Sequence, residues 1–304
     1  METKRLLLAG SHAATPAYAV VQEIKLRKLP WEIHFLGGRW AFEGKKIETL
    51  EYQELPKLGV KFHSLQAGKL ETKFTRYTIP ALLKTPFGFI QSLILIRKIK
   101  PHLTLSFGGA SGAYAAFWSW VFGIPVLVHE QTAAVGRANL FAAKFAQKIL
   151  LARESSRQFF LGKKVVLTGN PLTQEIIQAV ESKPKKAIKT ILVTGGSRGS
   201  KRINEVIKAI LPTLTRKFKV IHLTGEGSRG RLSIKKMAEA FKRADLVIGR
   251  AGANTVAEIM ALKKPAILIP LPWAYLDEQT KNAEFAAKLG LVQVLPQKFL
   301  TPRR

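Results

Sequence analysis

A chain of 304 residues has room for two domains of about 150 residues each with sizeable cores, which excludes a peptide or a disordered tail. Its 47% apolar and 23% charged residues sit near the soluble globular average, and the lack of cysteine excludes a disulfide framework, a thiol nucleophile and a cysteine metal site. Forty-nine Lys and Arg against 20 Asp and Glu leave a formal charge of +29, which favours an anionic partner: nucleic acid, phospholipid headgroups or a phosphorylated substrate.

At the amino end the apolar run Leu6-Leu7-Leu8-Ala9 is too short for the hydrophobic part of a secretory signal, so a cytosolic chain is expected. Apolar runs at 5–9, 32–36, 60–64, 103–107, 126–129 and 148–151 read as strands, alternating with segments of helical length. Residues 103–128 carry no charge and are long enough to cross a bilayer. Gly108-Gly109 and Gly123-Ile124-Pro125 cut that stretch into strand, turn, helix and strand, which reads as a buried parallel α/β unit instead. A strand ending at Thr168 leads into Gly169-Asn170-Pro171, a short helix and the basic linker Lys183-Pro184-Lys185-Lys186. Strands at 190–194, 220–224, 246–249, 266–269 and 292–295 follow. The alternation predicts an α/β chain of two doubly wound, Rossmann-like domains, residues 1–168 and 169–304.

In open parallel sheets ligands bind beyond the carboxyl ends of the strands, so glycine clusters between a strand and a helix mark candidate sites. Gly195-Gly196-Ser197-Arg198-Gly199 is placed for its backbone N–H groups to face a phosphate at the positive end of a helix, or simply to make a tight connection. Gly108-Gly109-Ala110-Ser111-Gly112 repeats the pattern in the first half, and Gly10-Ser11-His12-Ala13-Ala14-Thr15 precedes a proline suited to a helix's first turn. Arg250-Ala251-Gly252-Ala253-Asn254-Thr255-Val256-Ala257-Glu258 again joins strand to helix. Glu258, one helical turn past Asn254, reads either as a cleft-edge carboxylate that accepts from two ribose hydroxyls with little core packing, or as a solvated helix glutamate. Asp277-Glu278-Gln279-Thr280-Lys281-Asn282 opens another helix and offers carboxylate and amide groups to sugar hydroxyls, or a cap through Asp277.

Taken in order, these motifs resemble the MurG family of inverting glycosyltransferases, which have the GT-B fold of two domains facing a cleft. The resemblance rests on Gly10-Ser11-His12 with Pro16-Ala17, Phe107-Gly108-Gly109 with Ser111-Gly112, and His129-Glu130-Gln131 with Gly136 and Asn139. It continues through Gly169-Asn170-Pro171, the 195–199 loop, residues 250–258, and Gln279 with Asn282, to about Pro296. It implies transfer of N-acetylglucosamine from its uridine-diphosphate donor to undecaprenyl-pyrophosphoryl-muramyl-pentapeptide in peptidoglycan synthesis. The resemblance puts the donor in the second domain. Gly196 and Ser197 would hold the diphosphate, Glu258 the ribose, Ala253, Asn254 and Thr255 the phosphate side, Ile234 the uracil edge and Gln279 the sugar hydroxyls. In the first domain Ser11 and Thr132 stand at substrate-contact positions, and His12 or Glu130 would be the base for the muramyl hydroxyl. Such transfer needs one base and stabilisation of the leaving diphosphate, which loop N–H groups and helix ends supply, so neither cofactor nor metal is expected. The sequence departs from the family at its less glycine-rich first loop, at Thr132 for asparagine, at Thr173 for arginine, and in a short segment between Gly227 and Ile234. It ends at Arg304, ahead of the family's closing helices.

Residues 56–101 carry nine cations, Lys57, Lys61, Lys69, Lys73, Arg76, Lys84, Arg97, Lys98 and Lys100, against the one acid Glu71. Among them lie Ile79, Leu82, Leu83, Phe87, Phe89, Ile90, Leu93, Ile94 and Ile96. Apolar side chains ringed by cations suit peripheral docking on an anionic surface, here the cytoplasmic face of the cell membrane; the alternative is an ordinary core-facing helix. The basic residues are spread widely, with neither a helix-turn-helix nor an aromatic-basic sheet signature, and no nucleic acid is expected.

Overall fold

The computed structural model describes residues 3–42, 45–68, 78–180, 189–196, 199–225 and 233–302, and these form two compact units, Met1–Pro171 and Leu172–Arg304. The first unit runs β1 (Lys4–Ala9), α1 (Ala14–Leu26), β2 (Trp31–Gly37), β3 (Trp40–Phe42), β4 (Lys45–Glu48), α2 (Leu50–Glu54) and β5 (Lys61–Ser64). It continues with α3 (Thr78–Ile99), β6 (Leu103–Ser106), α4 (Gly109–Val121), β7 (Val126–Glu130), α5 (Arg137–Ala143), β8 (Lys148–Leu151) and β9 (Val165–Leu167). Seven strands make a parallel sheet in the order β5-β2-β1-β6-β7-β8-β9, and β3 and β4 form a separate antiparallel hairpin. Central β1 is buried on both faces, which is why Leu6-Leu7-Leu8-Ala9 runs apolar without alternation. Leu7, Ala9, Leu36, Ile96 and Ala115 share one core on it.

The uncharged stretch 103–128 is β6, α4 and β7, and no helix among the described residues is long and apolar enough to cross a membrane. In α3, Ile96 and Ile99 face that core while Ile79, Leu83, Phe87, Ile90 and Ile94 are exposed at helical spacing. One sequence expectation is corrected here. Phe89 lies inward, its ring 5.4 Å from Tyr114, 5.3 Å from Phe117 and 4.7 Å from Trp118, because it falls on the opposite edge of the helix from Phe87 and Ile90. Lys69, Lys73, Arg76, Glu71 and the Leu82 side chain lie outside the described residues.

The second unit runs α6 (Gln174–Val180), β10 (Thr190–Thr194), α7 (Lys201–Leu214), β11 (Lys219–Leu223), α8 (Ile234–Arg243), β12 (Leu246–Gly249), α9 (Ala253–Ala261), β13 (Ala266–Leu268), α10 (Glu278–Ala287) and β14 (Val292–Val294). Its parallel sheet has the order β11-β10-β12-β13-β14. Along β10, Leu192 joins the core of Phe241, Val247, Val256 and Leu268, whereas Ile191 and Val193 join Ile203, Val206 and Ile269 on the other face. Both sheets reverse direction of winding beside their first strand, between β1 and β6 and between β10 and β12, which is where a doubly wound sheet opens a crevice. The basic linker at 183–186 lies outside the described residues.

Candidate functional site

In the first unit the loops after β1 and β6 lie against each other. Ser11 N donates to Gly108 O at 3.1 Å, Phe107 N to Ala9 O at 2.8 Å and Gly10 N to Leu36 O at 3.2 Å. Gly109 has φ 70, and a β-carbon there would come within 2.5 Å of Ser11 Oγ, so this approach needs glycine. His12 is exposed and left-handed, at φ 60. It precedes α1, whose N-cap Ala13 has no capping side chain; the Ala13 N–H donates instead to buried Glu51 Oε1 at 2.7 Å.

Glu130 at the end of β7 is buried, and both its oxygens are occupied. Oε1 accepts from Thr132 N at 2.9 Å and Thr132 Oγ1 at 2.8 Å; Oε2 accepts from Asn139 Nδ2 at 2.8 Å and Gly136 N at 3.4 Å. Burial pushes its carboxyl above the ordinary range, against the pull of those donors. Thr132 Oγ1 also meets Ala134 O, so the side chain is spent on closing its own loop. Burial lowers His129 to about 4; the ring is therefore neutral and its Nε2–H donates to Gly169 O at 3.1 Å.

In the second unit three strand-end loops converge. Gly196, at φ 80, donates from N to Thr194 Oγ1 at 3.1 Å; Gly199, at φ 73, packs so that a β-carbon would lie 2.2 Å from Thr224 O. Ser200 caps α7, its Oγ accepting from Ile203 N at 3.4 Å. Ser197 lies outside the described residues. Buried Arg250 staples these loops together. Its Nη1 donates to Ile269 O at 3.0 Å and Pro270 O at 3.1 Å, and its Nη2 to Ser200 Oγ at 2.8 Å and Gln297 Oε1 at 2.5 Å. All four acceptors are neutral, and desolvation lowers the guanidinium to about 10, so it stays charged at neutral pH.

Ala253, Asn254 and Thr255 occupy the first turn of α9, which carries no acid. Glu258 follows on the same helix, and the structure corrects its expected edge position: it is 5% exposed, packed in rather than lying at a rim. Its Oε2 has no hydrogen-bond partner among the described residues, and desolvation raises the carboxyl to about 8. Ile234 opens α8 with its side chain buried, which leaves only its backbone at the surface of that helix end. Gln279 Oε1 accepts from Leu271 N at 3.1 Å, which leaves the donor end of the amide for hydroxyls. Asn282 ties α10 to the Arg250 loop, Nδ2 to Ala251 O at 3.1 Å.

Sequence reasoning passed over three groups. Glu51 gave no local signal because its partner is far away in the chain; Arg250 was seen only as part of a motif. Asn204 bridges α7 to β11, accepting from His222 Nε2 at 2.9 Å and donating to Thr224 O at 3.1 Å, beside a cavity of about 450 Å3 lined also by Ser200, Lys201, Glu205 and Lys208. Among the described residues no cluster of three or more His, Asp or Glu side chains could hold a metal.

The glycosyltransferase family 28 N-terminal domain matches residues 14–151, and the family's C-terminal domain matches residues 190–304. A UDP-N-acetylglucosamine–N-acetylmuramyl-(pentapeptide) pyrophosphoryl-undecaprenol N-acetylglucosamine transferase from Geobacter metallireducens is 34% identical, over 98% of this chain and 86% of its own length. The chain belongs to the MurG family. A transferase of the same name from Bacillus cereus is 31% identical over 98% of this chain and 88% of that relative. MurG of Acinetobacter baumannii, 21% identical, shares the fold with a TM-score of 0.65 across 99% of this chain and 88% of its own. As a MurG-family member the chain is a glycosyltransferase, and the two domain matches fall one in each unit.

Proposed function

We propose that this chain transfers N-acetylglucosamine from UDP-N-acetylglucosamine to undecaprenyl-pyrophosphoryl-muramyl-pentapeptide, acting as a peripheral protein on the cytoplasmic face of the membrane. The observation that carries the reading is Glu258. A buried carboxyl oxygen without a donor costs free energy in the empty protein, and a ribose supplies vicinal hydroxyls that can donate to such a carboxyl. The first turns of α7 and α9 offer their N–H groups to the diphosphate, and the Gln279 amide offers its donor end to the sugar. Ser197 adds a hydroxyl to the 195–199 loop. Charged Arg250, whose acceptors are all neutral, adds positive potential where the leaving diphosphate gathers charge.

The first unit binds the acceptor. His12 is the base: it is exposed at a strand end, whereas Glu130 has both oxygens engaged and serves to hold residues 131–136 in place. As His12 takes the proton of the muramyl hydroxyl, that oxygen bonds to the anomeric carbon from the face opposite the diphosphate. The bond from that carbon to the diphosphate oxygen breaks, the configuration inverts and uridine diphosphate departs. Ser11 and Thr132 border this loop system.

Docking is through α3. Ile79, Leu83, Phe87, Ile90 and Ile94 enter the interface while Lys84, Arg97, Lys98 and Lys100 meet anionic headgroups. The deciding assay offers labelled UDP-N-acetylglucosamine and a lipid-linked muramyl-pentapeptide in vesicles. Labelled disaccharide on the lipid is expected; faster transfer from another sugar nucleotide, or none from this donor, would overturn the reading.

A further inference from the structure

An α-helix leaves its first four N–H groups without intrahelical partners, and a side chain at the N-cap usually answers one of them. α1 has Ala13 at that position and no acid in its first turn. The acceptor comes from far along the chain: Glu51 Oε1 takes the Ala13 N–H at 2.7 Å in a buried contact. A carboxylate suits the place, since the amino end of a helix carries positive potential and a buried anion needs such a partner. Glu51 is also held from behind. It sits in α2, whose cap Thr49 donates from Oγ1 to Gly38 O at 2.8 Å and from its backbone N to Arg39 O at 2.8 Å, fastening the helix to the loop after β2. The end of β2, from which that loop leaves, is tied to its neighbours by Gly10 N to Leu36 O and Leu65 N to Gly37 O, at 3.2 and 2.8 Å. The peptide joining residues 12 and 13 is thus pinned from outside its own helix, and the residue on its amino side is left-handed His12.

We propose that Glu51 is the positioning residue for His12: its buried carboxylate pins the Ala13 amide and so holds the imidazole where the acceptor hydroxyl arrives. The inference rests on the reading of His12 as the base. Glu51 acts through the backbone and does not touch the substrate. Misplacing a base by about 1 Å can cost on the order of 100-fold in rate, so the effect belongs in kcat and not in donor KM, whose determinants lie on the second unit. Glu54, in the same helix and equally buried, bonds Lys57 at 2.6 Å and not the loop, which makes it the control.

The experiment compares E51A, E51Q and E54A in the full chain, with rates taken per folded molecule. E51A should lose at least about tenfold in kcat at unchanged donor KM. E51Q, whose amide oxygen still accepts from Ala13, should recover most of that loss, and E54A should lower the melting temperature without moving kcat. Equal kcat in all three, or a loss in E51Q as large as in E51A, would overturn the proposal. A second measurement needs no turnover: the Ala13 amide should lose hydrogen-exchange protection and the His12 resonances should shift in E51A, but not in E51Q or E54A. Unmoved His12 resonances overturn the positioning role. Shifted resonances in a chain that transfers no sugar would leave it standing and defeat the functional reading alone.

Discussion

Two buried glutamates, one in each unit, make the most instructive contrast in the molecule. Glu130 and Glu258 both sit near strand ends in glycine-rich surroundings, and burial raises both carboxyls. Glu130 is hydrogen-bonded by Thr132 and Gly136 of the loop that follows it and by Asn139 of α5, so the protein has already satisfied it. Glu258 has an oxygen with none. A carboxyl whose partners are internal has been satisfied by the fold, while one with an oxygen left over is the kind of group a ligand can satisfy. The proposed roles divide the same way: the first unit presents exposed His12, the second the loops that Arg250 staples together.

The division can be broken most sharply at His12. H12A should lower kcat by about 10²- to 10⁴-fold with donor affinity intact, as measured by single-turnover transfer and calorimetry with uridine diphosphate. E258A should do the reverse, weakening uridine diphosphate by about 10- to 100-fold through the loss of two charge-assisted hydrogen bonds partly offset by desolvation. The wild type's preference for the ribose over the 2′-deoxyribose nucleotide should vanish with it; a retained preference would remove Glu258 from the site.

The pH dependence separates the two glutamates further. Below pH 4 Glu258 is protonated folded or unfolded. Between there and about 8 the folded chain keeps a proton that the unfolded chain has released, so stability of the ligand-free protein should fall as pH rises, then level off. Ribose hydroxyls donate to the ionised form. Nucleotide binding near pH 7 should therefore release a proton and tighten by up to about tenfold per pH unit toward pH 8, read from calorimetry in buffers of different ionisation enthalpy. E258Q should remove the proton release on binding and reduce the stability trend to what the raised carboxyl of Glu130 leaves. The smallest effect belongs to Glu130: E130Q turns one acceptor oxygen into a donor facing other donors and should cost about 1–3 kcal/mol of stability, followed by chemical denaturation, with donor affinity unchanged.

Much of this was legible before any coordinates. Short, largely apolar runs such as 190–194 and 246–249, each followed by glycines that mark a loop, read as strands of a covered parallel sheet. The hairpin of β3 and β4 escaped notice because three- and four-residue strands with a Trp-Ala-Phe and a Lys-Lys-Ile-Glu sequence carry too little alternation to register. The burial of Glu258 is not legible because periodicity gives a residue's face on a helix but not what covers that face. Phe89 was grouped with Phe87 for the same reason. The Glu51 cap and the Arg250 staple join residues 38 and up to 50 positions apart, and no local pattern encodes a contact of that span.

Docking through the exposed row of Ile79, Leu83, Phe87, Ile90 and Ile94, as proposed above, would have a kinetic consequence. An enzyme docked by such a helix meets a lipid-bound acceptor by lateral diffusion in a plane, so the quantity that governs encounter is acceptor per unit area and not acceptor per litre. Diluting the acceptor with inert lipid at fixed bulk concentration should slow transfer, while adding more vesicles of the same composition should not. The soluble sugar nucleotide, arriving from three dimensions, would obey ordinary concentration throughout.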